Sequence, residues 1–172
     1  MTDLAPLVPR ARAVIEDCTV AGIKIAVAES CTGGLVAAVL TEIPGSSAVV
    51  DRGFVTYSDA AKAEMLGVPA ELIRRFGAVS RECALAMVAG ALARSGADIA
   101  ISITGIAGPA GGTAEKPVGL VHFGAMRKGS PAYHVVRNFP DEGRDSIRAA
   151  AVREALGLLA QLATGQPADG VP

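Results

Sequence analysis

Aromatic residues are scarce in this sequence. They make up 3% of its 172 residues, and tryptophan is absent. Proteins that bind single-stranded nucleic acid stack bases on aromatic rings, so this scarcity argues against that function. The 16 basic residues are scattered and are balanced by 17 acidic ones, which leaves no concentrated positive charge for backbone phosphates. We therefore expect no nucleic-acid partner.

Long apolar runs are also missing. No stretch approaches the roughly 20 apolar residues of a membrane-spanning helix. Residues 1–10 contain two prolines and no apolar core of a signal peptide. These absences predict a cytoplasmic protein with no membrane partner.

Residues that bind metals are few and are poorly spaced for the purpose. The three cysteines, at positions 18, 31 and 83, cannot all pair and match no zinc-site spacing, so we expect reduced thiols. Strand alternation does not place the two histidines, His122 and His134, in one cleft. The sequence therefore argues against a Ser-His-Asp triad and predicts neither a metal nor a cofactor.

The hydrophobic content, by contrast, is high at 51%, and small aliphatic residues of this kind suit helices packed closely on a sheet. Apolar periodicity and turn residues predict helices over 4–21, 35–41, 59–67, 69–77, 80–93 and 144–163, and strands over 23–28, 49–57, 99–103, 118–126 and 133–139. Alternating strands and helices indicate parallel crossovers, and the short connection at 128–131 indicates an antiparallel hairpin. We predict an α/β fold with a mixed, mostly parallel five-stranded sheet and helices on both faces. It forms one domain over 1–165, followed by a disordered tail over 166–172.

The segment AVAESCTGG at 26–34 carries the first candidate chemistry. A buried strand leads into a polar turn and then a helix, which places Ser30 at the carboxyl end of a strand, where open α/β sheets bind ligands. The N–H groups at the start of that helix, over Thr32, Gly33 and Gly34, favour a phosphate or an oxyanion. The alternative is that Ser30 or Thr32 only caps the helix and the glycines only make the turn.

The segment VTYSDAAK at 55–62 provides a possible base. A nucleophilic serine needs a proton acceptor, and a neutral lysine can serve. A cation in the first turn of a helix opposes the macrodipole, which favours the neutral form of Lys62, whereas Asp59 nearby opposes that effect. The alternatives are a solvated surface lysine and, for Tyr57, a residue that simply fills the core.

Two further stretches could bind a phosphate. The segment SITGIAGP at 102–109 leaves a buried strand, and Gly105 and Gly108 would let the backbone approach a ligand closely. Arg144 and Arg148 are four residues apart on one face of the last helix and could hold a phosphate together. A plain flexible loop and a pair of solvated arginines are the alternatives.

Several linked segments, taken in order, resemble a known family. They are ESCTGG at 29–34, PGSS at 44–47, YS at 57–58 with Lys62, LGV at 66–68, GAVS at 77–80, TGIAGP at 104–109, and GGT at 111–113 followed by EKPVG at 115–119. This order is similar to that of the C-terminal domain of the CinA family, the competence-damage-inducible proteins. That domain is a nicotinamide mononucleotide deamidase, and the resemblance covers roughly residues 4–162.

The resemblance implies a three-layer α/β/α sandwich and a homodimer. It also implies a nucleotide substrate, because the family hydrolyses the carboxamide of nicotinamide mononucleotide to nicotinic acid mononucleotide and ammonia in pyridine-nucleotide salvage. At the matching positions Ser30 would be the nucleophile and Lys62 the base. Tyr57, Thr104 and Arg144 match positions expected to support the site, and the two glycine loops are candidates for the phosphate cradle.

The sequence departs from the family in two places. Many members carry an additional N-terminal domain, so this chain resembles the stand-alone form. The family often has Phe-x-Gly-Asp-Arg before its last helix, whereas the segment FPDEGR at 139–144 is one residue longer, which affects the aim of Arg144. Two other functions remain open, namely a nucleotide-binding module without turnover and an amidase for another small amide.

Overall fold

The computed structural model describes residues 2–165. Its helices are α1 (Val8–Ala21), α2 (Leu35–Thr41), α3 (Asp59–Leu66), α4 (Ala70–Phe76), α5 (Arg81–Ala93) and α6 (Arg144–Thr164), and its strands are β1 (Ile25–Glu29), β2 (Val50–Val55), β3 (Ile99–Gly105), β4 (Leu120–Arg127) and β5 (Tyr133–Asn138). Two short 3₁₀ turns, Ala5–Leu7 and Ser46–Ala48, complete the elements. The predicted order of helices and strands is confirmed. The predicted tail, 166–172, lies outside the described residues.

The five strands form one sheet in the order β2-β1-β3-β4-β5. The pairs β1–β2 and β1–β3 are parallel, whereas β3–β4 and β4–β5 are antiparallel. Only β4 therefore runs against the other four strands. This confirms the predicted mixed, mostly parallel sheet.

Alternating residues of the central strands bury their side chains on opposite faces of the sheet. Ile25 and Val27 belong to a core shared with α1, α2 and α6. Ala26 and Ala28 belong to a second core shared with α3, α4 and α5. Since both faces are covered by helices, β1 is buried along its whole length.

Helix α5 packs very close to the sheet because glycine meets it there. A Cβ added at Gly124 in β4 would lie 2.5 Å from the carbonyl oxygen of Ala84, which is closer than real atoms approach. Ser102 occupies the same contact, since its hydroxyl donates to that oxygen at 2.6 Å. The small residues of this face therefore set the distance between the sheet and α5.

Most helix ends agree with the sequence prediction. Ser58 and Ser80 cap α3 and α5, because their hydroxyl oxygens accept from the N–H groups of Ala61 and Cys83 at 3.0 and 3.2 Å. Gly67 ends α3 in the left-handed conformation, with φ of 68°.

Several predicted strand boundaries were wrong: β2 spans Val50–Val55 instead of 49–57, and β4 spans Leu120–Arg127 instead of 118–126. The first strand begins at Ile25 and not at residue 23, because the N–H of Ile23 still bonds the Cys18 carbonyl at the end of α1. Strand β3 continues to Gly105, because Thr104 and Gly105 pair with His122 and Val121 of β4. Within residues 2–165, no helix has the combination of length and apolar character needed to cross a membrane.

Candidate active site

Ser30 lies where β1 leaves the sheet. Its N–H donates to the Ile103 carbonyl of neighbouring β3 at 3.0 Å, which fixes the residue at the carboxyl edge of the parallel strands. The residue is 9% exposed, so it is largely shielded from bulk water but still accessible. This is the position that the sequence predicted for it.

Lys62 reaches Ser30 from the segment after the adjacent strand. Its Nζ lies 3.2 Å from Ser30 Oγ, and the residue is only 1% exposed. The parallel pairing of Glu29 with Val55 brings the two segments together, and the N–H of Thr56 extends that pairing to the Glu29 carbonyl at 2.8 Å. The alternative of a solvated surface lysine is therefore excluded.

The other contacts of the Lys62 amine are uncharged. Nζ donates to the carbonyl oxygens of Thr56 and Tyr57 at 3.0 and 3.5 Å. No ion pair links Lys62 to a carboxylate within residues 2–165. Two carbonyl oxygens without a formal charge therefore orient the amine toward the serine.

Glu29, next to the nucleophile, has a function that sequence reasoning missed. Its carboxylate is fully buried and accepts hydrogen bonds from the N–H groups of Gly34, Val36 and Ala37, at 3.0, 3.1 and 2.9 Å. A carboxylate suits this position because the start of a helix carries unpaired N–H groups and partial positive charge. Glu29 thereby ties the Ser30 turn to α2.

This arrangement overturns the expectation that the first turn of α2 is free to bind an anion. Glu29 occupies the Gly34 N–H, and the Gly33 N–H donates to the Ser30 carbonyl at 3.0 Å. Thr32 is completely buried. The structure therefore places Thr32, Gly33 and Gly34 behind the nucleophile.

A cavity of about 290 Å³ opens above Ser30 and Lys62. It brings together seven of the ten candidate site residues, Ser30, Lys62, Tyr57, Thr104, Gly105, Gly108 and Arg144. Thr32, Gly33 and Gly34 are not among its lining residues. Cys31, Asp59, Ala78 and Val79 add to the wall, so the cavity is bounded by the ends of β1 and β3 and by the loops beside them.

Arg144 spans the cavity despite the extra residue before α6. Its guanidinium donates to the Gly108 carbonyl at 2.9 Å and to the Tyr57 hydroxyl at 3.1 Å. Arg148 does not join it, because it donates to the Thr32 carbonyl at 2.8 Å. The predicted arginine pair is thus divided, with Arg144 in the cavity and Arg148 supporting the turn behind Ser30.

Lys116 connects two walls of the cavity and received no role from the sequence. Its Nζ donates to the carbonyl oxygens of Phe76 and Val79, both at 2.8 Å. The hydroxyl of Thr104 holds the same segment by donating to the Ala78 carbonyl at 2.8 Å. The only sequence signal for Lys116 was its place in the EKPVG segment, which does not reveal what it contacts.

Cys31 lines the cavity beside Ser30, but its thiol is poorly suited to attack. Burial raises the pKa of Cys31 to about 12, and the charge of Glu29 acts in the same direction. A thiol is nucleophilic as the thiolate. Ser30 is therefore the better candidate nucleophile of the two.

The two histidines lie together, contrary to the sequence expectation. His122 Nδ1 and His134 Nε2 are 2.9 Å apart on β4 and β5, and the rings stack. The expectation was wrong because the strands pair with an offset that puts His134 opposite Gly124, diagonal to His122. Burial and then the charge of His134 lower the pKa of His122 to about 4. In the part of the chain described, no group of three or more potential ligands could hold a metal ion.

The fold and the site define a class, an α/β protein with a buried serine–lysine pair at the carboxyl edge of a mixed sheet. The family model of the CinA C-terminal domain matches residues 8–163, and the chain belongs to that family. It is 50% identical over 138 residues to a CinA-like protein of Akkermansia muciniphila, covering 80% of this chain and 33% of the relative. It is 53% identical over 145 residues to a CinA-like protein of Mycolicibacterium vanbaalenii, covering 84% and 34%. The chain thus spans about a third of the length of these curated relatives.

Solved structures of the family have the same fold. The competence/damage inducible protein CihA from Agrobacterium tumefaciens superposes with a TM-score of 0.89 at 54% identity, covering 91% of this chain and 94% of that one. A competence-damaged protein (CinA) superfamily protein from Klebsiella pneumoniae superposes with a TM-score of 0.87 at 36% identity, covering 92% and 98%.

Proposed function

We propose that this protein is an amidohydrolase that converts nicotinamide mononucleotide to nicotinic acid mononucleotide and ammonia in the cytoplasm. The observation that carries the proposal is the 3.2 Å contact between Ser30 Oγ and Lys62 Nζ at the base of a cavity. Serine–lysine pairs are suited to acyl transfer, because the amine can accept the hydroxyl proton as the oxygen attacks. The identity of the substrate is inferred from the family resemblance.

The first step forms an acyl-enzyme. Lys62, as the neutral amine, takes the proton of Ser30, and Ser30 Oγ bonds to the carboxamide carbon. The tetrahedral intermediate then loses its C–N bond, and the amide nitrogen leaves as ammonia with the proton that Lys62 returns. Water next attacks the ester while Lys62 accepts one of its protons, and Lys62 passes that proton to Ser30 Oγ as the ester C–O bond breaks, which releases the carboxylic acid and restores the serine.

The oxyanion needs donors that the fold has not already used. The N–H groups of Gly33 and Gly34 are taken, and so is the Thr104 hydroxyl. The N–H groups of Cys31 and Gly108 make no hydrogen bond to another residue between positions 2 and 165. We assign the oxyanion to the Cys31 N–H, because the residue after a nucleophilic serine provides this donor in other α/β hydrolases.

The phosphate of the substrate would meet Arg144. Among the described residues that line the cavity, Arg144 is the only arginine, and its present acceptors are a carbonyl and a phenol oxygen. A phosphate forms stronger, charge-assisted hydrogen bonds with arginine than either neutral acceptor does. Substrate binding would therefore draw Arg144 away from Tyr57 or Gly108. The positive pyridinium ring would also activate its own carboxamide toward the serine.

The test is ammonia release from nicotinamide mononucleotide by the parent protein and by Ser30→Ala, Lys62→Met and Cys31→Ala. Turnover should disappear in the first two variants and persist in Cys31→Ala, which removes the neighbouring cavity side chain. Nicotinamide riboside, which lacks the phosphate, should be a much poorer substrate. Equal ammonia release by all four proteins would refute the assigned roles.

The same assay separates the two other functions. A binding module without turnover would bind the mononucleotide in calorimetry and release no ammonia. An amidase for another amide would use the riboside and the mononucleotide equally.

We further propose that the protein forms a homodimer, as the family resemblance implies. Light scattering of the purified protein would show twice the chain mass of 17.3 kDa. A mass of one chain at micromolar concentration would reject the dimer without affecting the proposed reaction.

A further inference from the structure

A second cavity lies on the other side of the sheet from Lys62, between α1, β5 and α6. Its volume is about 410 Å³, larger than the catalytic cavity, and the two cavities share no lining residue. Val135 of β5 and Leu158 of α6 form apolar parts of its wall. The cavity is therefore a separate concave site of a size that small-molecule ligands occupy, about 300–1,000 Å³.

The charge of this cavity is positive, although the whole chain carries a net charge of −1. Among the described residues, Arg10, Arg137 and Arg153 line it with a single carboxylate, Glu154. Arg137 is paired with Glu154 at 2.8 Å. The guanidiniums of Arg10 and Arg153 make no hydrogen bond or ion pair with any residue from 2 to 165. Two arginines are thus free to bind an anion.

A glycine in the middle of α6 keeps the cavity open. Gly157 lies well inside Arg144–Thr164, where glycine costs about 1 kcal/mol relative to alanine. Its φ is not positive, and an added Cβ would meet nothing within 4 Å. Neither backbone conformation nor close packing therefore requires glycine here. One turn further on, Gln161 also lines the cavity, and its Oε1 is buried without a hydrogen-bond partner among the described residues.

We propose that this cavity binds a phosphate ester of a small hydroxylated molecule, of the sugar phosphate class. Arg10 and Arg153 would hold the phosphate, Glu154 would accept hydrogen bonds from hydroxyl groups, and Leu158 would contact the carbon skeleton. No aromatic side chain among residues 2–165 lines the cavity, so this wall lacks the surface on which a nucleobase would stack. Three arginines are also too few for a nucleic-acid backbone, whose binding sites neutralise several phosphates.

The experiment titrates ¹⁵N-labelled protein with ribose 5-phosphate, inorganic phosphate and ribose at constant ionic strength. Ribose 5-phosphate should shift the amide signals of Gly157, Leu158 and Gln161, inorganic phosphate should bind more weakly, and ribose should not bind. Arg10→Gln and Arg153→Gln should each weaken binding about tenfold or more, the loss expected for a charge-assisted hydrogen bond. Arg12→Gln is the matched control, because Arg12 is exposed two residues away on α1 and does not line the cavity.

Two substitutions at one position separate binding from folding. Gly157→Leu should fill the cavity and abolish the shifts. Gly157→Ala should raise the thermal midpoint of unfolding, because alanine favours the helix, and should weaken binding less than leucine does. The proposal is overturned if no amide of the cavity shifts, or if the shifts are confined to Gly108 and the rest of the catalytic cavity. Equal affinity for inorganic phosphate and ribose 5-phosphate would reject the hydroxyl contacts and hence the ester.

Discussion

Lys62 Nζ donates to the carbonyl oxygen of Thr56 at 3.0 Å, across the turn that leads from β2 into α3. The same amine lies 3.2 Å from Ser30 Oγ. The two contacts place the amine between the Thr56 carbonyl and the serine oxygen. The turn after β2 therefore aims the base as well as supplying it.

Replacing Lys62 tests whether catalysis needs a group that accepts a proton or only a positive charge. Lys62→Arg introduces a permanent cation that cannot accept a proton, and Lys62→Met keeps a similar length without the amine. If Lys62 is a general base, both variants lose activity by about 100-fold or more, within the range of about 10²–10⁴ for such groups. The measurement is kcat for ammonia release, with circular dichroism to show that the fold persists. Substantial activity in Lys62→Arg would contradict the role.

Glu29→Gln should weaken both stability and turnover. Gln retains one oxygen, but its NH₂ group would face N–H donors that the carboxylate now accepts. We expect a loss of about 2–3 kcal/mol in the free energy of unfolding, from hydrogen bonds to a charged group. Urea titration measures it, and Glu64→Gln, an exposed carboxylate of α3, is the control. A stability equal to that of the parent would mean that Glu29 does not fasten α2.

Lys116 should act as a positioning residue. Lys116→Met removes the two hydrogen bonds that join residues 76–79 to the loop after β3, so the cavity wall should loosen. We expect KM for the mononucleotide to rise more than kcat falls. Lys116→Arg, which can still donate to both carbonyls, should recover part of the loss. A fall in kcat alone would indicate a chemical role instead.

The Cys31 thiol should react slowly although it lines the cavity. Burial raises its pKa to about 12, so at pH 8 almost all of it is protonated. Iodoacetamide labelling followed by mass spectrometry should modify Cys31 far more slowly than a free cysteine peptide. Rapid labelling at pH 8 that inactivates the protein would show a reactive thiolate.

The histidine pair should make the fold sensitive to mild acid. Burial and His134 lower the pKa of His122 from 6.5 to about 4, so the unfolded chain binds the proton more readily than the folded one. The contribution of His122 to the free energy of unfolding is therefore fully present above pH 6.5 and is lost as the pH falls toward 4. His122→Asn should show a smaller decrease of the urea midpoint between pH 7 and pH 5. An equal decrease in both proteins would exclude this contribution.

The sequence predicted the fold well because its patterns are local. Buried runs such as Ile99–Ile103, capping serines and the glycines that end helices each specify their own element without reference to the rest of the chain. The edge of the sheet at which Ser30 lies followed from its place after a buried strand. The contact with Lys62 could be proposed but not deduced, because it depends on which strands are neighbours.

The missed features all depend on contacts between distant segments. Lys116 binds carbonyls about 40 positions earlier in the chain, and no spacing rule connects them. His122 and His134 meet because of a diagonal offset between strands, which alternation alone does not give. Glu29 lies within its motif, but its role appeared only once α2 was oriented over it. Local sequence patterns therefore located the site, whereas its hydrogen-bond contacts depend on how distant segments pack together.

The parallel pairing of β1 with β2 has a consequence for how the protein acquires its proposed activity. The serine follows β1 and the lysine lies in α3, after β2, and these two parallel strands are joined by a crossover that contains α2. A refolding chain that has formed only the β4–β5 hairpin would hold neither partner in place. During refolding, the recovery of ammonia release would thus report when β1 and β2 have paired. Circular dichroism would report the recovery of secondary structure separately.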